Sequence, residues 1–253
     1  MGHKKRLNVS FLTDRGLKRE KNEDAILVNQ ESATFIVADG MGGHEKGEVA
    51  SNILIEAFDP LSNMDGINEE ITISDIESRL NSYIAVATKK MTEFAQKSHI
   101  DGIIGTTMVG LKYLPQLNDS WVLFYLGDSR AYHYSDEILK QISIDHSRYE
   151  YHQQVSTDSD SKYVTTRKNV VTKAIGNFDP YMLDIKYIKT KKDDILFLCS
   201  DGVSDLCTNN ELQTLMQKYK GDLDVLSAKI KELVYMRGAR DNLSFIIIEI
   251  MDE

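Results

Sequence analysis

Residues 34–51 read Thr34-Phe35-Ile36-Val37-Ala38-Asp39-Gly40-Met41-Gly42-Gly43-His44-Glu45-Lys46-Gly47-Glu48-Val49-Ala50-Ser51. An apolar, partly β-branched run ends in Asp-Gly, and helical spacing then begins with Val49, Ala50, Ile53, Leu54, Ala57 and Phe58. Common ligand loops do not fit. Gly40-Met41-Gly42-Gly43-His44-Glu45 lacks the last glycine of a dinucleotide loop, and Lys46 is followed by Gly47 rather than Ser or Thr. No second histidine stands four residues after His44, so a zinc-protease helix is absent. The stretch offers a carboxylate at the end of an apolar strand.

The same pattern recurs along the chain. Leu123-Phe124-Tyr125-Leu126 runs into Gly127-Asp128, and Ile195-Leu196-Phe197-Leu198-Cys199 into Ser200-Asp201-Gly202, with Asp205 close behind. Asp241-Asn242 directly precedes the apolar run 243–248. Each alone also reads as a hairpin turn. Together they allow four carboxylate-bearing strand ends to meet at one edge of a sheet pair. Clustered carboxylates repel unless protonated or neutralised, and hard divalent cations neutralise them through oxygen ligands. With no local Cys/His cluster, Mg²⁺ or Mn²⁺ is the natural ion.

Outward from these ends, short strands are expected at 8–13, 24–29, 34–38, 106–113, 121–126, 131–134, 184–190, 195–199 and 243–250. Further helical spacing appears in Ile76, Leu80, Tyr83, Ala87, Met91 and Phe94, and in Leu223, Leu226, Ile230, Leu233 and Val234 after a weaker stretch at 212–219. Ser74 with Glu77 reads as a capping box. Helices interrupt the strands only a few times, which points to largely antiparallel sheets with long helices on their outer faces rather than a doubly wound sheet. Residues 145–170 are polar and irregular, with Ser156-Thr157-Asp158-Ser159-Asp160-Ser161 in the middle, and read as an exposed flap.

Composition bounds the function. Of 253 residues, 42% are hydrophobic and 27% charged, so the chain is an ordinary globular protein. Its net charge of −9 argues against a nucleic-acid binder. Two cysteines, Cys199 and Cys207, make no disulfide framework. No apolar run approaches a membrane span, no signal peptide is visible, and Arg6 breaks the myristoylation pattern begun by Met1-Gly2. The expectation is a cytoplasmic protein that touches neither membrane nor nucleic acid.

At these residues the sequence resembles a known family, the metal-dependent protein Ser/Thr phosphatases of type 2C (PPM), in their compact bacterial form. The matching stretches are TDRGLKREKNEDA at 13–25, ADGMGGHEKGEVAS at 38–51, GTT at 105–107, YLGDSRAY at 125–132, DHS at 145–147, VTKAIG at 171–176, LCSDGVSD at 198–205 and RDNLSFIII at 240–248. They occur in family order across nearly the whole chain. The resemblance implies one α+β domain over 1–253, a four-layer α–β–β–α sandwich of two mainly antiparallel sheets flanked by helices.

It also implies a site. Two principal Mn²⁺ or Mg²⁺ ions would be held by Asp39, the Gly40 carbonyl, Asp201 and Asp241, with Glu23 and Asp24 in support. Asp128 and Asp205 match the ligands of a third ion, and Arg19 matches the arginine that holds the substrate phosphate. The implied reaction is attack of a metal-bridging hydroxide on phosphoserine or phosphothreonine, without a covalent phosphoenzyme. The leaving oxygen takes its proton from His44 or from a metal-bound water; His44 equally reads as a cap for the following helix. Substrates of a Ser/Thr kinase, a monomer and a signalling role complete the implied picture. A weakly active relative that serves mainly as a binding module is the alternative.

Overall fold

The computed structural model describes residues 5–41, 46–66, 71–147, 170–178 and 181–251. Two antiparallel sheets stack face to face. The first contains β1 (Leu7–Asp14), β12 (Leu243–Ile250), β11 (Ile195–Cys199), β7 (Arg130–Ser135) and β8 (Ile138–Gln141), in that spatial order. The second runs β10 (Asp184–Ile188), β6 (Ser120–Leu126), β5 (Met108–Leu114), β3 (Thr34–Met41), β4 (Gly105–Thr106) and β9 (Ile175–Gly176), with β2 (Asp24–Asn29) paired to β3. Helices α1 (Lys46–Phe58) and α2 (Ile73–Lys97) follow β3 in the chain. The short α3 (Asp201–Ser204), then α4 (Asn209–Tyr219) and α5 (Leu223–Met236), lie between β11 and β12.

Strand alternation builds the four layers. Phe35, Val37, Leu123, Tyr125, Leu196, Leu198, Ile246 and Ile248 meet between the sheets. Their odd partners face outward: Ile36, Val122 and Phe124 pack on Leu54, Phe58, Leu80 and Met91 of α1 and α2. Ile195, Phe197, Phe245 and Ile247 pack on Leu212, Met216, Leu226 and Ile230 of α4 and α5. Both faces of the central strands are therefore buried, so they read as continuous apolar runs rather than alternating ones. The expected α–β–β–α sandwich is what the chain forms.

Local details differ from the sequence reading. The strand expected over 106–113 is broken at Thr107, whose N–H donates to the Asp39 carbonyl at 2.8 Å, giving β4 and β5. Two short strands, β8 and β9, were not expected; four and two residues carry too little pattern to declare themselves. The α2 cap is Thr72 rather than Ser74. Thr72 Oγ1 accepts the Asp75 N–H at 3.2 Å, and Asp75 Oδ2 accepts the Thr72 N–H at 3.0 Å. The same Thr-x-x-acid pattern lies two residues upstream of the Ser74–Glu77 pair, and it starts the helix one turn fraction earlier. Within the expected flap, Asp145, His146 and Ser147 are buried, at 6%, 9% and 6% exposure, and Ser147 bridges to Val171. The remainder, 148–169, lies outside the described residues. Among the described residues no helix is long and apolar enough to cross a membrane.

Candidate active site

The face that buries Phe35 and Val37 between the sheets continues, two residues on, to Asp39. On β2 the face of Val28 and Ile26 continues to Asp24, and the register sets Asp24 directly opposite Asp39. Period-two alternation thus delivers both carboxylates to one end of the space between the sheets. Asp201 enters from the other sheet, at the first residue of α3 after β11. Asp241 stands two residues before β12.

Except for Asp241, which meets Arg19, these carboxylates have mainly one another for company. Burial, with Asp24, Asp201 and Asp128 as negative neighbours, holds the Asp39 carboxyl well above its ordinary pKa. A hydrogen bond between Asp39 and Asp201 adds to the rise at Asp39 and opposes it at Asp201. Burial and then Asp241 push Asp201 up to about 6, against the opposing effect of Asp39 and Arg19. Asp24 is pushed up to about 7, chiefly by burial, although Ser244 and Ser200 hydrogen-bond it. Asp128, 7% exposed in the turn between β6 and β7, rises to about 7 through burial and the charges of Asp201 and Asp145. Asp205 caps the C-terminal end of α3, its N–H bonded to the Asp201 carbonyl at 2.8 Å, and its charge is felt by both Asp128 and Asp201.

Backbone packing sets the remaining groups. Gly40 and Gly47 approach so closely that a Cβ on Gly40 would lie 2.1 Å from the Gly47 carbonyl oxygen. Only two glycines allow this start of α1 against β3. The Glu23 side chain lies beside Gly47, and its carbonyl accepts the Gly40 N–H at 3.1 Å. Arg19, from the exposed loop before β2, donates Nη2 to Asp241 Oδ2 at 2.8 Å. His44 lies outside the described residues.

The arrangement fits a hard divalent cation. Asp24 Oδ1 is buried and has no hydrogen-bond partner, an acceptor left for something else. The donor set is all oxygen, from carboxylates and the Gly40 carbonyl. The groups are neighbours rather than a closed shell: among the described residues no three acidic, His or Cys side chains are drawn together tightly enough to grip an ion as they stand. Like charges that lack a cation hold one another apart.

Several supporting residues carried no assignment in the sequence. Thr106 Oγ1 and the Thr107 N–H both donate to the Asp39 carbonyl, at 2.9 and 2.8 Å, which gives the Gly105-Thr106-Thr107 stretch its place. Ser200 Oγ donates to Asp24 Oδ2 at 2.9 Å and accepts the Ser244 N–H at 3.0 Å, tying the two sheets together at the site. Arg130 grips Asp145 through Nε at 2.9 Å and Nη2 at 2.6 Å. His146 Nδ1 accepts the Gly127 N–H at 3.1 Å, so its proton is on Nε2, facing Asp184 at 3.0 Å.

The chain was compared with known proteins. The family described as Protein phosphatase 2C matches residues 17–234. A serine/threonine phosphatase, stp, of Listeria monocytogenes is 28% identical over 255 residues, covering 96% of each chain. The crystal structure of serine/threonine phosphatase Stp1 from Staphylococcus aureus is 29% identical, covers 100% of this chain and 98% of its own, and superposes with a TM-score of 0.84. The catalytic domain of the phosphatase PstP, solved in complex with two manganese ions, shares the fold at a TM-score of 0.79 and 23% identity over 97% of this chain and 99% of its own. A family match over most of the chain, on a fold that carries the same sandwich, settles the class: the chain belongs to the protein phosphatase 2C family and is a protein serine/threonine phosphatase.

Proposed function

We propose that the chain hydrolyses phosphoserine and phosphothreonine in proteins phosphorylated by a Ser/Thr kinase, with Mn²⁺ or Mg²⁺ held at the end of the sandwich. The observation that carries this reading is the set of desolvated carboxylates without a counterion, Asp24, Asp39, Asp128 and Asp201, beside an exposed arginine. Asp39, Asp201, Asp241 and the Gly40 carbonyl are assigned to two principal ions, with Glu23 and Asp24 in support and Asp128 and Asp205 at a third. When bound, such ions supply a water acidic enough to attack phosphorus near neutral pH and positive charge against the phosphoryl oxygens.

The chain's own groups do the rest. Arg19 is placed to take the phosphoryl oxygens in its planar fork, exchanging its present bond to Asp241 for a charge-assisted one to substrate. Two residues beside the carboxylates that could attack phosphorus covalently are engaged elsewhere, which supports direct attack by water. Ser200 is fully buried and committed to Asp24 and Ser244. The Cys199 thiol is fully buried, and that burial pushes its pKa up, away from the reactive thiolate. His44 is assigned as proton donor to the leaving oxygen, with a metal-bound water as the alternative donor. The enzyme acts as a monomer in the cytoplasm.

The test is turnover of p-nitrophenyl phosphate and a phosphothreonine peptide with Mn²⁺, Mg²⁺, Ca²⁺ or chelator. Hydrolysis that requires Mn²⁺ or Mg²⁺ and stops with chelator is expected. Equal turnover in chelator would overturn the metal assignment, and peptide binding without hydrolysis under any metal would favour a binding module.

A further inference from the structure

Arg19 sits in the middle of a loop whose side chains are largely open to solvent. Between β1 and β2, residues 15 and 17–21 are all exposed, so no apolar burial pins them. Ordering such residues costs backbone entropy, and an arginine on a loosely held loop would meet a phosphate in many geometries. Yet the loop has a clamp at both ends, and one side chain supplies it.

Asn242, 4% exposed at the start of β12, donates Nδ2 to the Arg15 carbonyl at 3.0 Å and to the Lys21 carbonyl at 2.8 Å. Its Oδ1 accepts the Glu23 N–H at 2.8 Å. Two carbonyls on one side and an N–H on the other fix the orientation of the carboxamide and use both of its donors. The bonded positions flank Arg19, four residues before it and two after it, and Asn242 itself adjoins Asp241, the residue that Arg19 contacts. Two backbone features reinforce this closure. The Leu17 N–H donates to the Ala239 carbonyl at 2.8 Å. Gly16, at φ +74°, lies so close that a Cβ would sit 2.2 Å from the Asp241 carbonyl oxygen. At the far end, Asn22 Nδ2 donates to Thr13 Oγ1 at 2.7 Å and Asn22 Oδ1 accepts the Asp24 N–H at 3.2 Å.

We propose that Asn242 is the positioning residue for Arg19: its carboxamide closes loop 15–21 onto the Asp241 edge and so fixes where the guanidinium meets phosphate. A tie that only stabilised the fold would need no such placement; this one brackets the loop residue that meets Asp241 and feels the charges of Glu23 and Asp39. The proposal rests on Arg19 binding phosphate, as read above.

The experiment compares Arg19→Ala, Asn242→Ala and the double variant in four measurements. These are kcat and KM on a phosphothreonine peptide, the inhibition constant of inorganic phosphate, Mn²⁺ binding by calorimetry, and Tm. Each single change is expected to lower kcat/KM about tenfold or more and to weaken inhibition by phosphate, with Mn²⁺ stoichiometry kept. The double variant is expected to be no worse than the worse single, because a mispositioned arginine has already lost what its removal takes away. Additive losses, or a normal Asn242→Ala enzyme beside an impaired Arg19→Ala enzyme, would overturn the positioning role and leave the phosphate reading intact. An unimpaired Arg19→Ala enzyme would overturn the phosphate reading and this inference with it. If Asn242→Ala does not fold or loses Mn²⁺, Asn22→Ala decides at the loop's other end. A loss there that is non-additive with Arg19→Ala supports the clamp, and an additive or absent effect overturns it.

Discussion

Asp145 is buried and Asp39 partly buried, both close to Asp128, yet the two carboxylates keep opposite company. Asp145 arrives with its counterion: Arg130 holds it through two nitrogens, and Gln141 Nε2 adds a third bond at 2.7 Å. Asp39 arrives among Asp24, Asp128 and Asp201, carboxylates like itself, and burial together with that company holds its pKa well above the ordinary value. A carboxylate buried to hold a fold brings its cation in the sequence. One buried to hold an ion leaves the cation to solution, and the metal-free fold bears the mismatch.

Removing the central member of the mismatched group gives the sharpest test. Asp39→Asn is expected to cut turnover by roughly a thousandfold or more, a loss of about 4 kcal/mol of transition-state stabilisation. The same change is expected to raise the Tm of the metal-free protein, because an amide replaces a carboxyl that burial and its neighbours disfavour. Turnover near wild type in a folded Asp39→Asn enzyme would end the metal-centre reading. A lower metal-free Tm would end the contrast with Asp145.

The compensated carboxylate is expected to behave in the reverse sense. Arg130→Met leaves Asp145 with its side chain 4% exposed and without its cation. The expected cost is about 3 kcal/mol, at the low end for a broken buried pair because Arg130 itself keeps some exposure. In a chain of this length that is a fall in Tm of about 6–12 °C, readable by calorimetry. A variant as stable as wild type would show that Asp145 needs no partner.

Acid–base linkage offers a smaller, separate reading. Asp24 and Asp128 are raised to about 7 and Asp201 to about 6, and Asp39 is held well above its ordinary value, all above their values in an unfolded chain. The native state then binds more protons than the unfolded one, so this contribution is full at low pH and is lost as pH rises through the folded values. His146 opposes it in acid, since burial lowers its pKa from 6.5, and the comparison therefore belongs between pH 6.5 and 8. There the metal-free Tm is expected to fall with rising pH, and saturating Mn²⁺ to flatten or reverse the fall by favouring the ionised carboxylates. A metal-free Tm that rises with pH over that range would contradict the assignment of uncompensated acids.

How much of this was written legibly in the chain follows from what each feature needs. Apolar strands running into aspartates at 39, 128 and 201 pointed to the candidate site only as a set, because each alone also reads as a hairpin turn. The layers were legible because long apolar strands are interrupted by helices only a few times. What stayed hidden were relations between distant positions. Nothing near Asp24 says that Ser200 will hold one of its oxygens, 176 residues away in the chain. Nor does Asp241-Asn242 announce that its asparagine will clasp residues 15, 21 and 23. The fragments Gly105-Thr106-Thr107 and Asp145-His146-Ser147 carried no mechanism until their bonds to Asp39 and Arg130 were on view. Such ties depend on register between sheets, and a single sequence does not encode that locally.

Arg19 and Asp241 stand between the two extremes, and they give the smallest expected effect. This carboxylate does have a cation at 2.8 Å, but both side chains are open to solvent, at 49% and 40% exposure. An exposed pair contributes about 0–1 kcal/mol. Arg19→Ala is therefore expected to leave the metal-free Tm almost unchanged, in contrast to Arg130→Met. A second consequence concerns the ion. A divalent cation at Asp241 competes with the guanidinium for Oδ2, so removing Arg19 is expected to tighten Mn²⁺ binding, by no more than about fivefold, the equivalent of 1 kcal/mol. Calorimetric titration of the substrate-free protein reads this directly. Weaker Mn²⁺ binding in Arg19→Ala would mean that the guanidinium supports the ion site rather than standing in for the ion. Asp241 would then belong with Asp145, as a carboxylate whose partner the sequence already provides.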